Sequence, residues 1–523
     1  MRIVRYAARA IKIFFGQLFF IRTYWNLSKR TEKAIAWLVS NTQKDEGIKV
    51  TSKISKTYPE VTGYLIPTLI NWGERELACQ YASYLAEIQN PDGGFPTPQS
   101  SNSAFFDTGQ VVRGLMSISN IGEDYIPQII KAINFMASSI NDRGEIILSE
   151  EADWAGEVPR AISLYAIAPC VLWLRNNDAE SALIQKFSLA IEKIVSDPGI
   201  LLLQSVNHFH AYIMDALIDL GYEDLARKGM QQLRPLNNKG AIAGNSTETW
   251  ICTTGQFQYS IILGKLGQHQ DAVNSFLAAA KKQNRSGGWY GSVGRLAALG
   301  NCIYPMAPRK KMYFPNDEIP WANKYYLDAL SQIMRLNFNH VATTFKSKID
   351  VDDNRYVETF NFIRSLPAGS TVLDAGCGKG RFLLPLSDAY PEINFVAMDI
   401  SAKVMEEIPN RYMKIVSPIT NIDAIDSSFD AIIIVEALEH AAYVRGALRE
   451  LCRVVRPGGS ILIVDKRKRF TTTILEPWET WFSRKTLKNE SETLNLRYVE
   501  YKLLGQIEKT QNLFFSLKVT KKL

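Results

Sequence analysis

Disulfide and metal-held frameworks are excluded first, because the sequence lacks the cysteine patterns that build them. Its six cysteines are scattered over 523 residues, and no two of them form a C-x-x-C pair. This spacing in a long chain argues against a disulfide scaffold and against a structural zinc site. Scattered cysteines fit a reducing compartment, so we expect a cytoplasmic protein.

Acidic residues and long apolar runs are both absent from the first 30 residues. This segment holds seven of the 60 lysines and arginines and no acid, so the rest of the chain carries 53 charges of each sign. A balanced charge argues against a protein-wide nucleic-acid surface, and we therefore expect no nucleic-acid partner.

Residues 1–30 are predicted to form a basic amphipathic helix, since apolar residues recur there at three- and four-residue steps. The apolar run is shorter than the roughly 20 residues that cross a bilayer. No small-residue cleavage site of a signal peptide follows it. Two interpretations remain open: residues 1–26 lie in a membrane interface as a peripheral contact, or the helix packs on the protein itself.

Six glycine-containing turns follow apolar helical runs between residues 31 and 335. The five intervals from Gly47 to Gly287 average 48 residues, a period that accommodates two helices and two loops. Six helical hairpins form either an open solenoid or a closed ring, and closure needs no polar capping repeat. We predict an all-α (α/α)6-type toroid over this region.

The turn Gln283–Trp289 fits the Q-x-x-x-G-x-W repeat of terpene cyclases, and Gln89–Phe95 is a weaker copy. The region resembles the toroid superfamily of terpene cyclases, protein prenyltransferase β subunits and glycan-active α/α toroids. The resemblance implies architecture more than activity. A D-x-D-D pattern of class II cyclases occurs at 350–353, but after the last repeat, in a stretch that we interpret as a solvated linker. Cys252 has no partners at the spacing of a prenyltransferase zinc site.

One helix in each repeat begins with aromatic and polar residues, which in a toroid would surround one mouth. Such groups suit a sugar or an isoprenoid, whereas helix capping and core packing are the alternative interpretation. His208 and His210 do not share a helix face, so chelation is disfavoured and a general base with an orienting residue is left open. The set comprises Glu60, Thr62, Tyr64, Phe106, Asp107, Gln110, Trp154, Glu157, Arg160, His208, His210, Tyr212, Trp250, Gln256, Trp321, Lys324 and Tyr325.

A different pattern begins after about residue 337, where strands alternate with helices. The sequence D-A-G-C-G-K-G from Asp374 to Gly380 joins an apolar strand to a helix, and a second strand ends at Asp399. Glycines let the backbone approach a ligand closely. An acid after the second strand can accept hydrogen bonds from both ribose hydroxyls of an adenosine.

Later segments complete this pattern in a fixed order: a strand from Phe429, then Leu438-Glu439-His440, then R-V-V-R-P-G-G ending at Gly459. Residues 355–465 resemble class I S-adenosyl-L-methionine-dependent methyltransferases, most of all the ubiquinone-type, methyltransferase type 11 subgroup. The resemblance implies an α/β Rossmann-like domain over residues 355–523 and S-adenosyl-L-methionine as cofactor. Two late strands, near 496–503 and 512–519, would complete a seven-stranded sheet.

The resemblance also implies cofactor contacts. Asp374, Gly376 and Gly378 would contact its methionine and ribose parts, Asp399 would hold the ribose, and Ile400 would pack on the adenine.

The loop after the third strand departs from the family pattern. It has Pro418 and its neighbours where an acid usually lies near the adenine amino group, so Asp423 or the backbone would take that place.

His440 is the candidate general base, because imidazole changes protonation near neutral pH and the residue follows the fourth strand. A structural histidine at a helix start is the alternative. Glu436 and Glu439 are candidates to orient it or to bind a metal, although we assign no metal site. The basic cluster from Lys466 to Arg469 suits phosphate or a membrane, or is simply a solvated turn.

The predicted organisation is an N-terminal helix (1–30), a toroid (31–335), a linker (336–354) and a methyltransferase domain (355–523). Three functions follow from it. The first is O-methylation of a small-molecule, glycan or lipid-linked acceptor presented by the toroid. The second is a bifunctional enzyme whose toroid has its own lyase, hydrolase or isoprenoid activity. The third is a scaffold that binds the cofactor without catalysis, which the intact glycine-rich motif disfavours.

Overall fold

The computed structural model describes residues 27–523 apart from 120, 123, 148–159, 178–180, 204, 238, 248, 295, 300–301, 306–311, 468–476, 507–512 and 523. The membrane-interface prediction for residues 1–26, and Trp154 and Glu157, therefore lie outside the described residues. Within the described part, no helix is long and apolar enough to cross a membrane.

The chain divides into two compact units. The helical unit contains Lys33–Ile70 and Glu74–Met334. The sheet unit contains, of the described residues, 27–32, Asn71–Gly73 and Arg335–Leu523.

Paired helices joined by glycine-containing turns make up the helical unit, as the repeat predicts. The helices are α1 (Leu27–Ser40), α2 (Pro59–Asn71), α3 (Arg75–Ile88), α4 (Phe105–Ser119), α5 (Ile126–Ser138), α6 (Ser163–Asn176), α7 (Ser181–Val195), α8 (Asn207–Asp219), α9 (Glu223–Met230), α10 (Thr253–Lys265), α11 (His269–Ala280) and α12 (Pro320–Val341). Short strands β1 (Ile251–Cys252) and β2 (Ser292–Val293) pair with each other, as do β3 (Leu296–Leu299) and β4 (Cys302–Pro305).

The repeat motif has a structural reason in its turns. The amides of Gln89 and Gln283 each donate a hydrogen bond to the carbonyl of the turn glycine four residues on, at 2.9 Å in both cases. Trp289 is fully buried and its indole N–H donates to a carbonyl of α11. The glutamine therefore closes the turn, while the tryptophan attaches the turn to the preceding helix.

The even-numbered helices of this unit contact each other in cyclic order. The contacts are Gly63 with Val111, Gly109 with Ala166, Tyr165 with Tyr212, His208 with Gln258, Gln332 with the Ile261 carbonyl, and Thr68 with Asp328. The last of these, a 2.8 Å hydrogen bond, joins α12 back to α2.

A seven-stranded sheet with the order β10-β11-β9-β8-β5-β6-β7 forms the other unit, in agreement with the predicted Rossmann-like fold. Its strands are β5 (Thr371–Ala375), β6 (Asn394–Asp399), β7 (Met413–Val416), β8 (Phe429–Val435), β9 (Val455–Lys466), β10 (Leu496–Gln506) and β11 (Leu513–Lys521). Strands β5 to β9 pair in parallel, and β10 and β11 add the predicted antiparallel hairpin.

Both faces of this sheet are buried, which explains why its central strand β8 is apolar from Ala431 to Val435. Ile432 and Ile434 of β8 belong to one hydrophobic cluster, while Ile433 and Val435 belong to the cluster on the opposite face. Parallel strands covered on both sides are expected to be continuous apolar runs. The covering helices include α13 (Asn354–Arg364), α14 (Leu383–Ala389), α15 (Val444–Val454) and α16 (Arg484–Thr493).

The solvated linker expected over Asp350–Asp353 is correct for its first part and wrong for its last residue. Asp350 and Asp352 are exposed, but Asp353 is buried. Its carboxylate accepts a hydrogen bond from the backbone N–H of Arg355 at the start of α13, and it forms an ion pair with that guanidinium at 2.6 Å. The aspartate is buried because it caps a helix and is neutralised there.

Candidate active site

Two aspartates lie at the carboxyl ends of neighbouring parallel strands, Asp374 on β5 and Asp399 on β6. The Asp399 carboxylate accepts hydrogen bonds from the backbone N–H groups of Gly378 and Ser401, at 3.1 and 3.0 Å. Asp374 is buried, and its Oδ2 atom has no hydrogen-bond partner among the described residues. Burial, reinforced by the charge of Asp399, raises the pKa of Asp374 to about 7. A buried oxygen without a partner suits a cationic or hydrogen-bond-donating ligand.

The turn between these aspartates accepts only glycine at its first position. Gly376 has a φ of 78°, in the left-handed region, and a Cβ there would lie 2.4 Å from the Cβ of Ala437. Gly378 also has a positive φ, 56°. The turn therefore leaves bare backbone beside the two carboxylates, as close approach of a ligand requires.

A cavity of about 210 Å³ opens at this edge of the sheet. It brings together the predicted residues of the glycine-rich turn and of the segment after β8. Its lining comprises Phe345, Lys346, Asp374, Gly376, Cys377, Lys379, Arg381, Phe382, Val435, Glu436, Glu439, His440 and Lys466.

His440 ends a short 3-10 turn, Leu438–His440, that follows β8. Its Nε2 atom lies 3.4 Å from Oε1 of Glu439. Nδ1 has no hydrogen-bond partner among the residues that the structure describes. Phe338 lies edge-on to the imidazole, with 5.6 Å between ring centroids. The candidate base is thus held by a carboxylate on one nitrogen and is left with a second nitrogen that can accept a proton.

Glu439 belongs to a buried ionic cluster that the sequence did not predict. Lys466 Nζ lies 2.7 Å from Glu439 and 3.2 Å from Glu479. Burial alone would lower the Lys466 pKa, but these two carboxylates raise it overall. Asp465 accepts hydrogen bonds from the backbone N–H groups of Glu439 and Lys466, which fixes the turn against β9.

The interpretation of Lys466 as a residue of a solvated turn is therefore wrong, whereas a phosphate or membrane contact of the basic cluster stays a prediction. The side chain of Lys466 is only 12% exposed, and its charge is neutralised within the protein. Of the other cluster residues, 468 and 469 lie outside the described part of the chain.

Glu436 is paired with two arginines. Its carboxylate accepts hydrogen bonds from Arg355, at 2.8 Å, and from Arg381. The residue has a φ of 53°, a conformation that costs a non-glycine residue energy. Across the described residues, no group of three or more histidines, cysteines and acids could hold a metal ion. The geometry gives Glu436 a charge-pairing role, and the position of Arg381 just after the glycine-rich turn is the signal that could have suggested it.

Ile400 and Asp423 are the residues that we expect near the adenine. Ile400 is half-buried directly after Asp399. Asp423, the candidate substitute for the usual acid, is exposed, and its backbone N–H donates to the hydroxyl of Ser417 at 3.2 Å. The loop around Pro418 thus has hydrogen-bonding backbone and hydroxyl groups close to this acid.

The predicted residues of the helical unit divide between structural and unassigned roles. Gln256 is structural, because its amide bridges the Gly240 carbonyl and the Ile242 N–H at 2.6 and 3.0 Å. Burial lowers the pKa values of His208 and His210 to about 4, so both imidazoles are neutral at physiological pH. Arg160 is exposed, whereas Glu60, Asp107 and Gln110 are buried.

Comparison with known proteins finds a family match within the sheet unit. A family described as "Methyltransferase domain" matches residues 373–463. A tRNA (carboxymethyluridine(34)-5-O)-methyltransferase of Arabidopsis thaliana is 34% identical over 122 residues, covering 22% of this chain and 29% of the relative. The corresponding enzyme of Mus musculus, ALKBH8, is 27% identical over 212 residues, covering 40% of this chain and 29% of the relative.

Among solved structures, a complex between the Haloferax volcanii Trm112 methyltransferase activator and a putative methyltransferase is similar with a TM-score of 0.31 and 17% identity. The similarity covers 36% of this chain and 98% of that one.

These relatives correct one expectation. The balanced charge predicted no nucleic-acid partner, yet both relatives are named for methylation of tRNA, so the exclusion of nucleic acid is wrong. Net charge describes the protein as a whole, so a balanced value does not exclude a local contact with nucleic acid. The chain spans less than a third of the length of these relatives. Residues 373–463, with Asp374, the glycine-rich turn and His440, form a class I methyltransferase domain whose cofactor is S-adenosylmethionine.

Proposed function

We propose that this protein is an S-adenosylmethionine-dependent methyltransferase that transfers a methyl group to an oxygen acceptor. The observation that carries the proposal is the unpartnered, buried Oδ2 of Asp374 beside the anchored carboxylate of Asp399. Both lie at the carboxyl edge of the parallel strands, where ligands of open α/β sheets bind.

The residues present fit the cofactor. Asp374 offers a buried carboxylate to its ammonium group, and Gly376 and Gly378 give bare backbone to its methionine and ribose parts. Asp399 would accept hydrogen bonds from the ribose hydroxyls, with its orientation fixed by two backbone N–H groups. Ile400 would pack on the adenine.

The cofactor, when bound, supplies an electrophilic methyl group. The chain's residues then have to exclude water, orient the acceptor and remove its proton. His440 takes the role of general base through Nδ1, because Nε2 faces Glu439. Glu439 acts as a positioning residue for this imidazole, and Lys466 keeps Glu439 in place. Phe338 forms an apolar wall beside the ring.

RNA is the acceptor class to test first, because relatives that match this domain are named for tRNA. The glycan or lipid-linked acceptor expected from the sequence has no support from those relatives. One observation still favours such an acceptor, namely the buried aromatic and polar residues of the helical unit. For that unit we propose the closed α/α toroid, supported by the cyclic contacts that return from Asp328 on α12 to Thr68 on α2.

The test is transfer of a radiolabelled methyl group from S-adenosylmethionine to separated tRNA, glycan and lipid fractions of the source cells. We expect label in one fraction with the wild-type chain and roughly 10²–10⁴-fold slower labelling with the His440→Ala variant. A folded wild-type chain that binds the cofactor but labels no fraction would contradict methyl transfer and favour a non-catalytic scaffold. Label in the RNA fraction would exclude the glycan and lipid alternatives.

A further inference from the structure

Arg484, the first residue of α16, is held against two tyrosine rings of the antiparallel hairpin. Its guanidinium carbon lies 5.8 Å from the ring centroid of Tyr498 and 5.3 Å from that of Tyr501, both on β10. Nε donates a hydrogen bond to the Tyr498 hydroxyl at 3.0 Å. Among the described residues, Nη1 and Nη2 have no acceptor. The tyrosines thus fix an exposed arginine and leave its terminal donors available for a ligand.

The two tyrosine rings are themselves fixed by the sheet. Tyr501 stacks on Phe515 of β11, with 5.3 Å between ring centroids and 12° between ring planes. Phe515 is fully buried in a hydrophobic cluster of the sheet unit, and both tyrosines pack against that cluster. An arginine that is already stacked on fixed rings loses little side-chain freedom when it binds a ligand. Arg484 is therefore preorganised.

Two further cations lie next to Arg484. Lys485 is the following residue of α16 and is exposed. Arg467 is close to the same rings, since burial raises the pKa of Tyr501 while the charges of Arg467 and Arg484 act to lower it. We call the group of Arg467, Arg484, Lys485, Tyr498 and Tyr501 the arginine–tyrosine face.

The acids of α16 do not neutralise this face, because each is paired with another cation. Glu490 lies 2.9 Å from Arg445, and Glu492 lies 3.7 Å from Lys488. Within the part of the chain that the structure describes, none of the three cations of the face forms an ion pair. Unpaired cations grouped on one surface attract an anionic partner.

Arg467 connects the face to the methyltransferase site. It follows Lys466, the last residue of β9, which lines the cavity at the carboxyl edge of the sheet. Arg467 also forms a parallel bridge with Phe482, just before α16 begins. The face therefore starts beside the cavity to which an acceptor has to come.

We propose that the arginine–tyrosine face binds the phosphate backbone of RNA. Nη1 and Nη2 of one guanidinium can donate to the same phosphate in a bidentate contact. Arg467 and Lys485 would neutralise neighbouring phosphates, which dominate affinity for nucleic acids. A membrane fits less well, because both tyrosine rings are half-buried and engaged by the protein, so the face has no apolar side chain that can enter lipid. The proposal rests on the proposed function, in which RNA is the acceptor class to test first.

Fluorescence anisotropy of the full chain with a labelled tRNA transcript tests the face. Arg484→Met should weaken binding about tenfold or more, as expected for a lost charged hydrogen bond. The slope of log affinity against log salt concentration should also decrease by about 0.7–0.9, the contribution of one phosphate contact. Arg484→Lys keeps the charge but not the planar pair of donors. It should therefore keep the slope and bind more weakly than the wild type.

Arg497→Met is the matched control. Arg497 is an exposed cation of the same strand, and it precedes Tyr498 in extended backbone, so the two side chains point to opposite faces of the sheet. The control should bind the transcript as the wild type does. Equal affinities of Arg484→Met and Arg497→Met would overturn the proposal, as would a wild type that does not bind the transcript.

Vesicles of phosphatidylglycerol test the lipid alternative. If Arg484→Met abolishes cosedimentation with the vesicles and leaves RNA binding unchanged, the face binds lipid and the proposal is overturned.

Cofactor affinity should be the same in all variants, which also shows that they are folded. A wild type that binds RNA through this face but transfers no methyl group to it would contradict the proposed function alone. Unchanged RNA binding and unchanged methylation of RNA in Arg484→Met would contradict the arginine–tyrosine face alone.

Discussion

Nε2 of His440 lies 3.4 Å from Oε1 of Glu439, a carboxylate that is only 1% exposed. This contact links the candidate base of the methyltransferase domain to the ionic cluster that Glu439 forms with Lys466 and Glu479. Burial raises the pKa of Glu439, although His440 and Lys466 act to lower it. The imidazole is therefore oriented by a group that the fold holds in place.

Replacing His440 by alanine tests its role as a base. We expect methyl transfer to fall by roughly 10²–10⁴-fold, the usual contribution of positioned proton transfer, while cofactor affinity stays unchanged. Steady-state rates with the identified acceptor measure methyl transfer, and calorimetry measures cofactor affinity. His269→Ala, in the helical unit, serves as the control. A variant with wild-type turnover would make His440 structural.

Removing the cation of the buried cluster should destabilise the sheet unit. Lys466→Met leaves Glu439 and Glu479 buried without their counter-charge. We expect a loss of about 3–5 kcal/mol in the free energy of unfolding, as for other broken buried pairs. Urea unfolding followed by tryptophan fluorescence measures it. The exposed Lys403→Met is the control, and equal stability of the two variants would argue against a structural role for the cluster.

Cofactor affinity should depend on pH through Asp374. Its pKa is about 7 in the free protein, and the ionised form is the one that attracts the cofactor's ammonium group. Binding should therefore strengthen by roughly tenfold between pH 6 and pH 8. Asp374→Asn should bind weakly at both values with no such trend. A flat profile in the wild type would remove Asp374 from the cofactor contacts.

The raised pKa of Asp374 also predicts that the stability of the folded chain falls as pH rises, whereas cofactor affinity increases. A raised pKa in the folded state means that the native chain holds a proton that the unfolded chain releases at lower pH. Stability is fully present below the unfolded pKa, about 3.9, and is lost as pH rises towards 7. Thermal unfolding of the ligand-free protein should show this loss, and Asp374→Asn should reduce it.

The sheet unit was predictable because its signals are local. Apolar strands, the glycine-rich turn after Asp374 and the acid at Asp399 occupy short, ordered segments, and the sheet has the seven strands expected. The ion pairs were not predictable, since Glu436 meets Arg355 and Arg381 from positions 81 and 55 residues away. Such pairings arise only when the parallel strands bring their ends together.

Charge environment explains the two errors in the sheet unit. Asp353 and Lys466 each lie in a polar stretch, and polarity alone predicts exposure. Asp353 is buried and Lys466 is largely removed from solvent because partners neutralise them, Arg355 for the aspartate and two glutamates for the lysine. The turns of the helical repeat, in contrast, were predictable from the sequence. Gln283 and Trp289 contact residues only four and ten positions away, so the motif itself contains the interaction.

The most direct test of the account is calorimetric titration of the full chain with S-adenosylmethionine, comparing the wild type with Asp399→Ala. The variant loses the acceptor of the ribose hydroxyls, so affinity should fall by about 1.5–3 kcal/mol. Asp388→Ala, an exposed acid on α14, should bind as the wild type. Unchanged affinity in Asp399→Ala, or no binding by the folded wild type, would contradict the assignment of the cofactor site.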